Sequence, residues 1–143
     1  MVDYRQLEVG DALPPFTTPP VSRLTLALYC GASGDHNPMH VDIDFARAGG
    51  APDVFAHGML SMAYLGRLLT HWVPQQHLRE YGVRFVAITQ IGDQITCTGQ
   101  VTELFEAEVA HGSEHRARLT LQTTNQHGAH VADLKGITVV RHG

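Results

Sequence analysis

The sequence predicts an α+β domain in which an antiparallel sheet wraps a central helix, and three observations carry that prediction. The stretch HGMLSMAYLGRLLTHW, residues 57–72, is almost wholly apolar for about four helical turns, so the helix it forms should be buried. From Tyr81 onward the polarity changes period: in ITCTGQVT, residues 95–102, Ile95, Cys97, Gly99 and Val101 alternate with Thr96, Thr98, Gln100 and Thr102, the pattern of a strand with one buried face. Helical signals come first and strand signals afterwards, which is the order of an α+β chain rather than of a βαβ repeat.

The elements follow in order. GDALPPFTTPP, residues 10–20, carries four prolines and can supply an edge strand or an extended lead-in, never a central strand. Ser22 is a plausible N-cap for the short apolar helix RLTLALYCGAS, which Gly31 to Gly34 should end. VDIDFARAGG then reads as one or two helical turns capped by Asp42 or Asp44, and GGAPDV as a loop. The long helix stops at Val73-Pro74, because proline restricts the residue before it. Its small residues Ser61, Ala63 and Gly66 should let a neighbour approach closely, and Gly99 is a candidate bend in the strand that holds it. At least four strands, near 82–90, 94–105, 115–125 and 130–140, are expected to run as an antiparallel meander, with NQHG as one hairpin turn. The 143 residues fit one domain, 1–143, without repeats or low-complexity segments.

Composition narrows the function. Apolar residues at 43% and charged residues at 17% are globular values, and a formal net charge of −4 offers no general attraction to nucleic acid. No window approaches the roughly 18 apolar residues of a membrane span, and the N-terminus lacks the pattern of a leader, so a cytoplasmic protein is expected. Cys30 and Cys97 have no metal-like spacing and are expected as packed thiols. Of ten histidines, His111, His115, His127, His130 and His142 crowd the C-terminal third without ligand spacing; only His36, His40 and His57 sit in a chemical context.

That context is SGDHNPMH, residues 33–40. Gly34-Asp35 and Asn37-Pro38 are turn dipeptides, and on its residues alone the stretch serves as a tight turn as readily as an active loop. His36 and His40 are spaced for a metal on a helix, but Pro38 prevents that helix. Ser33 lacks the second glycine of a nucleophile elbow and no strand precedes it. What remains is an acid and an imidazole: Pro38 pushes Asn37 into an extended conformation, so the chain can return His40 toward Asp35 with a shared water between them, as adding water to a carbon–carbon bond requires. Gly58, opening the buried helix, presents unpaired N–H groups suited to a developing oxyanion, or serves simply as a packing glycine. His57 reads as a capping or hydrogen-bonded structural histidine.

On YCGASGDHNPMHVD followed by AHGMLSMAYLG, the chain resembles the MaoC-like, hydratase-2 family of (R)-specific enoyl-CoA hydratases, and also mycobacterial-type (3R)-hydroxyacyl-acyl-carrier-protein (ACP) dehydratase catalytic subunits. EYGVRF and GDQITCTGQV extend the likeness over nearly the whole chain; it departs after Phe85, where VAITQIGD stands in place of the family's Pro-Val pair and touches the acyl-pocket region from Val86 to Gln90. The resemblance implies a hot-dog fold and a dimer, homomeric or heteromeric. It implies that Asp35 and His40 hold the catalytic water, with Asp35 as base and His40 sharing proton transfer. It further implies that the Gly58 amide binds the thioester carbonyl, that Asn37 orders the loop, and that no metal or redox cofactor takes part. The implied substrate is a trans-2-enoyl thioester of CoA or of ACP, converted reversibly to the (R)-3-hydroxyacyl thioester. Arg47, Arg67, Arg79, Arg84 and Lys135 are available for CoA phosphates. The alternatives are a dehydratase subunit acting on ACP within a heterodimer, a non-catalytic acyl-binding subunit, and a thioesterase, which the paired Asp35 and His40 fit less well than hydration.

Overall fold

The computed structural model describes Val2 and residues 4–134, with the backbone alone for Tyr4 and for 130–134. The chain opens with a 3-10 turn at Tyr4–Gln6 and the short strand β1 (Phe16–Thr17), then places three helices, α1 (Arg23–Ser33), α2 (Ile43–Ala48) and α3 (Gly58–Trp72). Four strands follow: β2 (Arg84–Phe85), β3 (Thr96–Val109), β4 (Gly112–Thr124) and β5 (His130–Leu134). All five strands form one antiparallel sheet in the order β1-β3-β4-β5-β2, laid against α3. This is the α+β, hot-dog arrangement. No helix among the described residues is long and apolar enough to cross a membrane.

Local chemistry explains the helix limits. Ser22, in extended conformation, accepts a hydrogen bond from the Thr25 N–H and caps α1; Gly34 takes a left-handed φ of 76° and returns its N–H to Cys30 O, so α1 runs through Gly31 and stops at the second glycine. Asp42 caps α2 by accepting from the Asp44 and Phe45 amides.

The core lies between α3 and the sheet. Leu65, Leu68, Leu69 and Trp72 of α3 pack with Ile95, Cys97, Val101, Ala117, Leu119 and Leu121, the inward positions of β3, β4 and their approach. A second cluster, Val21, Leu26, Ala46, Val54, Ala56 and Leu60, binds α1 and α2 to the start of α3, and Tyr64 touches both. Both cysteines are buried free thiols.

Several expectations are corrected. The strands do not run as a simple meander: β3, β4 and β5 are joined in sequence by short turns, but β2 pairs with β5 at the far edge. Only a turn of a few residues forces neighbours together, and the long connection between Phe85 and Thr96 imposes no such pairing. β2 is also two residues long where a strand over 82–90 was expected, because the chain leaves the sheet after Phe85 and bonds to the approach of α3 instead, Ala56 N–H donating to Thr89 O at 2.9 Å and Phe55 bridging Gln90. Finally, α3 is buried on one side only: Leu60, Ser61, Leu65, Leu68, Leu69 and Trp72 are covered, whereas Met59, Ala63, Arg67 and Thr70 face outward, since a single sheet meets a single face.

Gly99 does not bend β3, whose irregularity falls between Val101 and Glu103. Its function is close approach: a Cβ there would stand 2.7 Å from Leu121 Cδ2 and 3.3 Å from Leu13 Cδ2. The strand expected over 130–140 is seen for His130–Leu134; 135–140, like Lys135 and His142, lie outside the described residues.

Candidate active site

The loop 34–42 is held by its own side chains. Ser33 Oγ donates to Tyr29 O at 2.6 Å and accepts from the Asp35 N–H, so Ser33 ties the loop to the end of α1 and is no nucleophile. Asp35 Oδ1 accepts from the Asn37 N–H at 3.3 Å, and Asn37 Oδ1 accepts from the Met39 N–H at 3.2 Å, capping the 3-10 turn Pro38–His40 whose first position is proline. The backbone therefore reverses between Asp35 and His40, and a carboxylate oxygen of Asp35 comes within 4.8 Å of a ring nitrogen of His40.

His40 is buried, and its Nδ1 lies 2.7 Å from Phe55 O. A carbonyl oxygen only accepts, so Nδ1 carries a proton and donates it to Phe55 O, leaving Nε2 as the ring nitrogen that can face a water. His57 sits directly beneath it: the two rings stack with centroids 3.8 Å apart and planes inclined by 24°. His57 is 1% exposed, and its Nε2 lies 3.2 Å from Asp35 O and 3.3 Å from Cys30 Sγ. By the same reasoning Nε2–H is the donor to Asp35 O, which leaves Nδ1 as a buried acceptor with no partner. A second proton would find no acceptor there, and burial lowers the His57 pKa; the hydrogen bond to Asp35 O opposes this and the nearby His40 adds to it. His57 is accordingly neutral. The edge of Tyr29 closes its other flank at 4.8 Å, and the edge of Phe55 closes His40 at 5.3 Å.

One carboxylate oxygen of Asp35 and one nitrogen each of His40 and His57 all lie within 4.8 Å of one another. Three such donors invite a metal reading, but the stack argues against it. A metal bond lies in the plane of each imidazole at about 2 Å, and two nearly parallel planes this far apart do not meet there. The same spacing suits a water: two hydrogen bonds of about 2.8 Å at a tetrahedral angle span roughly 4.6 Å.

Gly58 is the first residue of α3, whose N-cap, His57, makes no capping hydrogen bond through its side chain. The amide end of the helix thus has no side-chain cap, only Leu60 N–H returning to His57 O at 3.1 Å, and its positive dipole pole lies beside the histidine stack. A recess of about 200 Å³ opens there, walled by His40, His57, Gly58, Ser61, Phe85 and Thr89 among others. Phe85 lies close enough that a Cβ on Gly58 would touch its ring at 3.3 Å. Asp35 is not a wall residue; exposed to solvent, it brings its carboxylate to the histidines from outside. His36 is exposed and, unlike His40, stands apart from this group.

Sequence reasoning singled out Asp35, Asn37, His40 and Gly58, and the fold brings Asp35 and His40 together with Gly58 beside them. It read His57 correctly as a hydrogen-bonded histidine but missed that its ring supports His40 and its N–H holds the Asp35 backbone. Cys30, read as chemically silent, touches this same histidine. A neutral histidine at an N-cap is a poor capping group, and that was the available signal. Of the cations, Arg79 pairs with Glu114, Arg67 lies 4.5 Å over the Phe16 ring, and Arg47 donates to Pro52 O. Arg84, next to Phe85 in β2, is exposed. His111, His115 and His127 are exposed, as expected.

The chain is similar to known proteins in sequence and in fold. The model of the MaoC like domain family matches residues 8–126. An (R)-specific enoyl-CoA hydratase from Rhodospirillum rubrum is 34% identical over 86 residues, covering 59% of this chain and 60% of the relative. A mitochondrial 3-hydroxyacyl-[acyl-carrier-protein] dehydratase from Arabidopsis thaliana is 30% identical over 102 residues, covering 71% of this chain and again 60% of the relative. Among solved structures, the (R)-hydratase from A. caviae involved in PHA biosynthesis superposes with a TM-score of 0.79 at 27% identity, over 97% of this chain and 99% of that one.

Proposed function

The chain belongs to the MaoC-like domain family, and from that premise we propose that it is an (R)-specific enoyl-CoA hydratase, adding water reversibly to trans-2-enoyl thioesters. One observation carries the reading: a carboxylate oxygen of Asp35 and a ring nitrogen of His40 stand a water's span apart beside the amide end of α3.

In the forward direction the water held by Asp35 and His40 attacks C3 as the Asp35 carboxylate takes one of its protons. Negative charge passes to the thioester oxygen, where the Gly58 N–H and the helix dipole stabilise the enolate. The proton Asp35 has taken is relayed through Nε2 of His40 to C2, so the hydroxyl at C3 and the proton at C2 account for one water and both side chains regain their starting state. Both groups approach from one side, so addition is syn; the (R) configuration at C3 is the one the (R)-specific relatives' reaction would give here. Dehydration is the same path reversed. Asn37 keeps the loop in register, and no metal or redox group is called upon. A dimer, homomeric or heteromeric, and a cytoplasmic setting go with the same reading.

A second reading is a catalytic subunit of a heterodimer running the same chemistry on an ACP thioester, and the Arabidopsis relative supports its ACP carrier. The discriminating experiment is loss of the enoyl-thioester ultraviolet absorbance when the purified chain meets crotonyl-CoA, with Asp35→Asn as control. Turnover that vanishes in the variant supports the hydratase; an inert chain that becomes active on the matching enoyl-ACP supports the second reading.

A further inference from the structure

The recess at Gly58 is not the larger cavity on this face. A chamber of about 380 Å³ lies next to it, lined by Met39, Phe45, Ala51, Pro52, Phe55 and Ile88 among others. Phe55 and Ile88 belong to both cavities, and Met39 directly precedes His40. No charged side chain lines the chamber, and Gln90 is its single polar one. The fold builds it deliberately. α2 ends at Gly49, Gly50 turns the chain with φ of 93°, and the Ala51 N–H returns to Ala46 O at 3.0 Å, so the segment 51–55 doubles back against α2. The opposite wall is the stretch after Phe85 that leaves the sheet, and it falls where the sequence departs from its family pattern. Phe45 and Ile88 are 48% and 56% exposed, an unfavourable position for two large apolar side chains unless something apolar covers them.

We propose that this chamber receives the tail of the substrate, making the preferred acyl group a medium-length or bulky chain rather than a four-carbon one. The inference rests on the hydratase reading of the adjoining recess. With the thioester carbonyl at Gly58 and C3 at the Asp35–His40 water, the 200 Å³ recess is filled by the reacting end and the first carbons. The next carbons meet Phe55 and Ile88 and pass into the chamber. A water occupies about 30 Å³ in the liquid and a methylene is of similar bulk, so the chamber holds roughly eight to twelve further methylene-sized groups. The continuous apolar wall from the reacting atoms outward selects this occupant over a second copy of the chain.

The test measures binding and turnover separately. Saturated acyl-CoA thioesters of four, six, eight and ten carbons, each below its micelle concentration, are titrated into the intact chain by calorimetry, alongside kcat/KM for the matching trans-2-enoyl-CoAs. Each methylene that enters the chamber should tighten binding by up to about fourfold, so decanoyl-CoA should bind at least tenfold more tightly than butyryl-CoA. Ala51→Phe, which fills the chamber from its wall, should lower the decenoyl-to-crotonyl ratio of kcat/KM at least tenfold, and Gly49→Leu should act in the same direction should Ala51→Phe fail to fold. Binding that is flat with length in the folded protein would overturn the proposal and turn attention to a second copy of the chain as the occupant. Failure of the hydratase reading looks different: length-dependent binding without hydration of any enoyl-CoA keeps the chamber and removes the reaction.

Discussion

His57 is the residue whose replacement most directly probes how the site is held. In His57→Phe the ring under His40 is kept and the donor to Asp35 O is lost; in His57→Ala both go. The donor contributes one neutral hydrogen bond, about 0.5–1.5 kcal/mol, and the stack with His40 about the same again. If that energy holds Asp35 and His40 in reacting geometry, kcat falls about 2- to 13-fold in His57→Phe and about 5- to 150-fold in His57→Ala. Because His57 is not assigned a proton in the reaction, both losses stay below that of Asp35→Asn. The assay is steady-state hydration of crotonyl-CoA, with melting by circular dichroism to establish that the variants are folded. KM should move less than kcat, since Gly58 and the remaining walls of the recess are untouched. Wild-type kcat in folded His57→Ala would refute the positioning argument, and so would a His57→Phe loss as large as that of Asp35→Asn.

The same histidine sets a pH dependence. Its pKa in the fold is depressed below the ordinary value of about 6.5, so the unfolded chain binds the proton first. This contribution to stability is therefore complete above about pH 6.5 and declines as pH falls toward the folded pKa, at no more than about 1.4 kcal/mol per pH unit. Urea midpoints compared at pH 5 and pH 7 should fall further in the wild type than in His57→Phe. Gly99→Ala should cost about 1–3 kcal/mol by driving a methyl into Leu121, and Leu121→Val should recover part of it, as read by denaturant midpoints. Asn37→Ala removes the cap of the Pro38–His40 turn and should lower stability by about 1 kcal/mol while reducing kcat through a looser loop.

How much of this was legible in the sequence depends on how local the cause is. Caps and turns were, because Ser22, Asp42 and Gly34 act through atoms a few residues away. So was the alternation of β3 and β4, which records a face rather than a partner. The place of β2 was not: with a long connection after Phe85, the pairing of Arg84 with Asp133 and Phe85 with Ala132 depends on tertiary packing. At the site, Asp35, Asn37 and His40 could be grouped because Pro38 limits the backbone between them. The stacking of His57 on His40 could not, since it depends on how α3 enters the core. The one-sided burial of α3 has a similar origin: apolar residues all round the helix show what it could cover, and the folded chain covers half. The chamber is less local still, formed only when the turn at Gly50 meets the departing segment 86–90.

The most direct test of the central claim is the stereochemistry of hydration. Crotonyl-CoA is converted by the purified protein in deuterium oxide, and the product is analysed for the configuration at C3 and for the face on which C2 acquires deuterium. If the chain is an (R)-specific hydratase in which Asp35 and His40 deliver both halves of the water from one side, the product is (R)-3-hydroxybutyryl-CoA alone, deuterium is added on the same face as the hydroxyl, and Asp35→Asn makes none. An (S) product, deuterium on both faces, or undiminished turnover in Asp35→Asn would contradict the account.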